Sequence, residues 1–127
     1  MAFKIKTSKA TMEYFEQISA SERLQPFALS KLDIAISLKS GQPLTEKELA
    51  SDTQGLELNR QTITGEYDDT YKLLIQMFEG KHLSDDEYFT KYLKAHLDRC
   101  AKLLYSEYRY NKDFILGLLS DSTGVEN

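Results

Sequence analysis

Residues 3–40, FKIKTSKATMEYFEQISASERLQPFALSKLDIAISLKS, decide how the rest of the 127-residue chain is read. Phe3, Ile5 and Thr7 alternate with Lys4, Lys6 and Ser8, the two-residue period of a half-buried strand. From Lys9 to Ser19 the period changes. Met12, Phe15 and Ile18 recur every third residue beside Tyr14, while Glu13, Glu16 and Gln17 face water, which predicts a first helix. The polar run Ser19–Arg23 reads as a connection. Pro26 has no N–H to lose and suits the first turn of a second helix over about Gln25–Ser40. That helix carries Phe27, Ala28, Leu29, Leu32, Ile34, Ala35, Ile36 and Leu38 around most of its circumference, so part of its surface is expected against another subunit.

The short strand stands alone, and little else in the chain alternates as it does. Its backbone donors and acceptors need a partner, and a second copy of the chain is the simplest one. A solitary strand followed by two helices is the order of a ribbon-helix-helix unit, in which two chains share an antiparallel ribbon. In that geometry Phe3 and Ile5 face the shared core, and Lys4 and Lys6 point outward to phosphates or base edges. An ordinary edge strand would leave the same lysines as solvated residues that oppose aggregation.

The remainder reads as helices. Ser40-Gly41 and Pro43 stop the second helix. Thr45 with Glu48 forms a capping-box pattern for a short helix, and Ser84 with Glu87 a second one that opens the longest helix, to about Lys112. Between them Glu66 to about Gly80 has helical spacing, with Tyr67, Tyr71, Leu74, Ile75 and Phe78 on one side and Thr64 as its N-cap. On the long helix Phe89, Leu93, Leu97, Cys100, Leu104 and Tyr108 follow one face, and Lys91, Lys94, Asp98, Lys102 and Arg109 the opposite one. The expectation is a mostly α chain: a ribbon-helix-helix-like amino-terminal unit of one short strand and two helices over 1–40, then a part with two longer helices over 41–112. It forms one domain over 1–127, with a mobile tail at 120–127.

Composition narrows the function. No run approaches the eighteen apolar residues of a membrane span, the start does not resemble a secretory signal, and the single cysteine, Cys100, allows no intrachain disulfide. A cytoplasmic protein without a membrane partner is expected. The formal net charge of -4 excludes a uniformly basic nucleic-acid binder. Charge is nonetheless uneven, basic in excess over 1–40 and strongly acidic over 41–90. No phosphate loop, paired metal-binding histidines, Cys-x-x-Cys or nucleophile triad is present. Asp68-Asp69 and Asp85-Asp86-Glu87 are explained by helix starts, His96 as a hydrogen-bonded structural residue, Cys100 as a small buried one, and Glu57 with Arg60 as a pair one helical turn apart.

Residues 55–71, GLELNRQTITGEYDDTY, resemble the signature of the DndE family of DNA sulfur-modification (phosphorothioation) proteins. Pro26, Leu29, Lys31, Ser37 and Leu38 resemble that family's second helix, and His96, Leu97 and Arg99 its late His-Leu-x-Arg element. The resemblance spans about residues 9–110. Cys100 in place of a small residue and the acidic Glu13 and Glu16 in the first helix depart from it.

The resemblance implies a helical tetramer that binds double-stranded DNA, with a preference for nicked duplex, and serves a multiprotein sulfur-insertion machine. Its chemistry would sit in partners: a cysteine desulfurase, an iron-sulfur protein and a structural-maintenance-type ATPase. The acidic first helix moves the expected DNA contacts to Lys4, Lys6, Lys9, Arg23 and Lys31. Glu57, Asn59, Arg60, Glu66, Tyr67, Asp68, His96 and Arg99 are expected to form an internal polar network. No catalytic residue, metal or cofactor is assigned. The alternatives are a metal-dependent nickase drawing on Glu57, Arg60, Glu66, Asp68 and His96, and a dimeric ribbon-helix-helix transcriptional regulator.

Overall fold

The computed structural model describes residues 2–22 and 24–110. The order is β1 (Lys4–Lys6), α1 (Lys9–Glu22), α2 (Pro26–Lys39), α3 (Glu46–Leu49), β2 (Glu57–Asn59), α4 (Arg60–Ile63), a 3₁₀ turn (Gly65–Tyr67), α5 (Asp68–Glu79), a π-helical segment (Glu87–Leu93) and α6 (Lys94–Tyr110). The chain is mostly helical and forms a single domain, as its periodicities predict.

The strand finds its partner inside the chain. β1 and β2 pair antiparallel, with Lys4 opposite Asn59, Ile5 opposite Leu58 and Lys6 opposite Glu57. The ladder runs on at both ends: Arg60 N donates to Phe3 O at 2.8 Å, Thr7 N to Leu56 O at 2.9 Å and Gly55 N to Thr7 O at 2.9 Å. This corrects the expectation that a second copy must supply the ribbon. It also corrects the reading of Glu57 and Arg60 as a helical pair, because Glu57 lies on the strand, 4.0 Å from Lys4. Gly55 permits the close approach: a Cβ there would lie 2.1 Å from Ser8 O. Phe3 also departs from expectation. Ile5 and Thr7 turn inward, but Phe3 is 65% exposed.

α2 lies against α6, α1 and α4. Leu29, Leu32 and Ile34 are buried within the one chain, so most of the apolar surface expected against a second subunit is covered internally, and Phe27 and Ala35 stay exposed. α1 runs through Glu22, past the Ser19 boundary expected from the polar run. Both capping boxes form, with Thr45 and Glu48 bonded reciprocally at α3 and Ser84 and Glu87 at the start of the long helix. Thr64 makes no side-chain cap; its hydroxyl bonds Arg60 O and Asp68 Oδ1 instead. α5 accordingly starts at Asp68, and Gly80 ends it with φ of 71°. Ile75 alone on α5 is fully buried, while Tyr67 and Leu74, expected inward, are exposed.

The π turns hold more residues per turn than α turns, which moves the inward stripe of the long helix. Tyr88, Phe89, Tyr92 and Leu93 are all buried there, followed by Lys94, Ala95, His96 and Leu97. Lys94 and Asp98, expected on the solvent face, form a buried ion pair at 2.7 Å with side chains 7% and 6% exposed. Lys94 Nζ also donates to Ser51 Oγ at 2.6 Å, and Asp98 accepts from Ser51 Oγ, Ser8 N and Thr11 Oγ1. The carboxylate thus sits at the free N–H end of α1, where the helix dipole favours a negative charge. The pair ties α6 to α1 and to the loop after α3. The expected tail at 120–127 lies outside the described residues.

Ser19 Oγ and His96 Nε2 are buried without a hydrogen-bond partner among the described residues, and Asp33 is the third such case. It is fully buried on α2, and neither carboxyl oxygen has a hydrogen-bond partner among the described residues. Burial, and then the negative charge of Asp98, push its carboxyl well above the usual carboxylate range. The folded chain therefore keeps a proton that the unfolded chain gives up near its ordinary value of 3.8, so this group destabilises the fold as pH rises above about 4. Asp33→Asn is expected to raise the urea midpoint at pH 7, with the advantage over the parent closing as pH falls toward 4. A lower midpoint at pH 7 would mean that Asp33 is ionised against a partner.

Candidate nucleic-acid interface and its polar support

β1 presents its lysines together. With Ile5 buried, Lys4 and Lys6 both turn outward, and they share a cleft of about 250 Å³ with Thr53, Thr90 and Lys94. Lys9 opens α1 just beyond, exposed, with its N–H held by Asp52 Oδ1 at 2.9 Å. Three of the five expected DNA contacts therefore follow one another along a single short stretch. Lys31 is exposed on α2 and lies 5.7 Å over the Phe27 ring, beside a different groove lined by α2 and α5. Arg23 lies outside the described residues. Acidic groups accompany the lysines, Glu57 near Lys4 and Asp52 near Lys9, so the surface is locally mixed in charge.

What holds β2 beneath those lysines is Arg60. Its guanidinium is buried and uses all five N–H donors. Nε and Nη2 donate to Asp68 at 3.1 and 2.6 Å, Nη2 and Nη1 donate to Asp85 at 2.8 and 3.0 Å, and Nη1 also reaches Ala2 O at 2.9 Å. The plane stands 4.6 Å from the centre of the Phe89 ring and 5.6 Å from that of Tyr88. Asp68 accepts further bonds from Thr64 Oγ1 at 2.7 Å and Tyr88 Oη at 2.9 Å. Burial pushes the Asp68 carboxyl up, and the hydrogen bonds from Arg60, Thr64 and Tyr88 outweigh it and hold it below the usual range. Asp85 is held low by the Arg60 hydrogen bonds, and burial followed by the bond to Asp68 keeps the Tyr88 hydroxyl protonated.

A second polar junction joins the end of α2 to α6. Arg99 Nε donates to Ser37 Oγ at 3.0 Å, which frees the serine hydrogen for His96 Nδ1 at 2.7 Å. The remaining imidazole proton then sits on Nε2, 3.4 Å from Glu79 Oε2 but not aligned as a hydrogen bond. Burial, and then the Arg99 charge, push His96 down to about 4, so it is neutral and no ion pair forms. Arg99 also donates to Ser37 O and Pro43 O and lies 3.6 Å from Glu48.

The residues expected as one polar network therefore occupy separate places. Arg60 and Asp68 meet, and His96 and Arg99 meet elsewhere. Asn59 caps α4 by accepting from Gln61 N, Glu57 lies on the ribbon surface, and Glu66 and Tyr67 are exposed. Asp85 looks locally like a helix-start residue, and its role as the second carboxylate on Arg60 has no local signal across a separation of twenty-five residues. Lys94, Asp98 and Ser51 give no signal of their junction for a similar reason. Removing one partner of a buried pair leaves the other charged and unpaired. Arg60→Ala is expected to lower unfolding free energy by about 3–5 kcal/mol in urea titrations. Arg60→Lys should recover only part of this, since an ammonium cannot serve both carboxylate forks. A loss below about 1 kcal/mol, the range of an exposed pair, would show that the clamp is solvated.

Comparison with known proteins places the fold. Among curated proteins none matches the chain. Several solved structures share the fold, two of them DndE structures. The crystal structure of DndE from Escherichia coli B7A, described as involved in DNA phosphorothioation modification, has 18% identity and a TM-score of 0.64, covering 82% of this chain and 98% of that one. A DndE mutant structure, described as involved in DNA phosphorothioation, has the same identity and coverages with a TM-score of 0.65. The family pattern described as DNA sulphur modification protein DndE matches residues 4–112, from the first residue of β1 to just past α6, and the chain belongs to the DndE family.

Proposed function

We propose that this chain is the DNA-binding component of a phosphorothioation machine: it holds duplex DNA, nicked duplex above all, for the sulfur-inserting partners and performs no bond chemistry itself. The observation that carries the reading is the run of exposed lysines Lys4 and Lys6, on a ribbon that Arg60 anchors to the core, and Lys9 at the start of α1 just beyond it. Lysines in such a row neutralise backbone phosphates regardless of sequence. Arg23 and Lys31 extend the contact set, a homotetramer multiplies it, and the cytoplasm is its place. Family membership supports the sulfur-modification context, with the iron-sulfur protein and the structural-maintenance-type ATPase as partners. Engagement of Asp68 and Asp85 by Arg60, and of His96 by Ser37, leaves those groups committed to internal bonds, which favours a binding role over a nickase.

Gel shifts on intact, nicked and single-stranded DNA, with and without Mg²⁺, test the reading. Affinity should fall steeply with salt. Lys4→Ala, Lys6→Ala and Lys9→Ala combined should weaken binding to all sequences alike and flatten the salt slope by about 0.9 for each phosphate no longer neutralised. Unchanged affinity in a folded triple variant would refute the lysine assignment. Supercoiled plasmid incubated with the pure protein and Mg²⁺ or Mn²⁺ should stay supercoiled. Accumulation of nicked circles that Glu66→Ala or His96→Ala abolishes, with DNA affinity retained, would make the chain a nickase.

A further inference from the structure

α2 and α5 leave an apolar groove between them, about 310 Å³ in volume and lined by Ile34, Ala35 and Leu38 on one side and Tyr67, Tyr71 and Leu74 on the other. No described residue covers it. Leu73 and Met77 continue the apolar surface of α5 beside it, 56% and 70% exposed. Lys31, exposed, stands at its rim. Patches of this kind on a small soluble domain mark a contact surface.

The sequence holds a matching segment. After Tyr110 come residues 111–127, NKDFILGLLSDSTGVEN, with six successive apolar or glycine residues at 114–119. The family match ends at residue 112, and the Escherichia coli DndE chain is covered almost completely by 82% of this one, so this run adds to the shared fold. We infer that the α2–α5 groove is the seat of the chain's own Phe114–Leu119 segment.

Position, length and charge each support this occupant. Ser37 of α2 bonds His96 and Arg99 near the start of α6, so the two helices run antiparallel and Tyr110 ends near the amino-terminal end of α2. Glu79 accepts from Leu44 N, which puts the end of α5 beside the end of α2, and leaves Lys31 and Tyr67 at the groove end toward which α6 runs. Phe114 is four residues past Tyr110, a reach of about 14 Å, against a groove that runs roughly 10 Å from Lys31 to Leu38 along α2. Asp113 precedes the apolar run and Asp121 follows it, complementary to Lys31 at the rim. A tethered segment meets its site at an effective concentration near millimolar, which favours it over a free second copy for so small a groove.

The chain has no tryptophan, so Phe114→Trp gives a single reporter in the full-length protein. The expected result is blue-shifted emission with reduced acrylamide quenching, independent of protein concentration, and returned to the solvent-exposed spectrum by Leu74→Glu or Ala35→Glu. Both positions are exposed, and an unchanged circular dichroism melt shows that these variants fold. Solvent-exposed emission in the otherwise unaltered chain overturns the inference. So does a blue shift that the groove variants leave intact, which puts the segment elsewhere, or one that disappears on dilution, which puts it in the groove of a second copy.

Discussion

A single guanidinium organises the middle of this chain. Arg60 receives two carboxylates from opposite directions, Asp68 at the start of α5 and Asp85 at the start of the long helix, and its fifth donor reaches back to Ala2 beside β1. Its own N–H closes the ladder onto Phe3 O. One residue thus fixes the amino-terminal strand, the strand that pairs with it, and the beginnings of two helices. Arginine suits the position because its planar fork meets two carboxylates edge-on while its faces rest on aromatic rings, here Phe89 and Tyr88. The cost of desolvating three charges is offset only because each donor has an acceptor.

The same logic recurs along α6. Lys94 with Asp98 fastens α1 and the loop after α3, while His96 and Arg99 fasten the end of α2 and face Glu79 of α5 and Glu48 of α3. Helices packed by apolar contact alone can slide and rotate with small losses, whereas a buried ion pair has one register in which its partners are all satisfied. The long helix therefore acts as the post to which the short elements are tied, each at its own level. Asp33, facing the same helix without a described partner, marks where that scheme leaves a polar group unsatisfied.

What the sequence discloses follows from how local the cause is. Capping boxes at Thr45 with Glu48 and Ser84 with Glu87 act within one turn, and both are legible. The apolar stripe of α1 and the stop after α2 are legible for the same reason. β2 is not, because three residues give no period and Glu57–Asn59 is a strand only through pairing with residues more than fifty positions away. The polar networks are half legible. The family resemblance draws attention to Arg60 and Asp68 and to His96 and Arg99, yet nothing local assigns them to two separate junctions. Lys94 and Asp98, four apart on a helix, look like a solvated pair, and only the shift of the inward stripe by the π turns buries them.

The charge map bears on how a polyanion would meet this surface. Each chain offers only a few outward lysines on the ribbon side, and Glu57 and Asp52 lie close to them. Three phosphate contacts release few counterions, and one chain alone would hold duplex DNA weakly at physiological salt. Affinity on the proposed reading must then come from number: several copies, each with the same rigid row of lysines, raise the phosphate count while their mutual fixed geometry raises the effective concentration of the later contacts. Rigidity of the row is what makes that addition work, since a mobile strand would lose in ordering much of what each new contact contributes. On the same reading the Arg60 clamp, remote from the lysines in chemistry, belongs to the interface it would support.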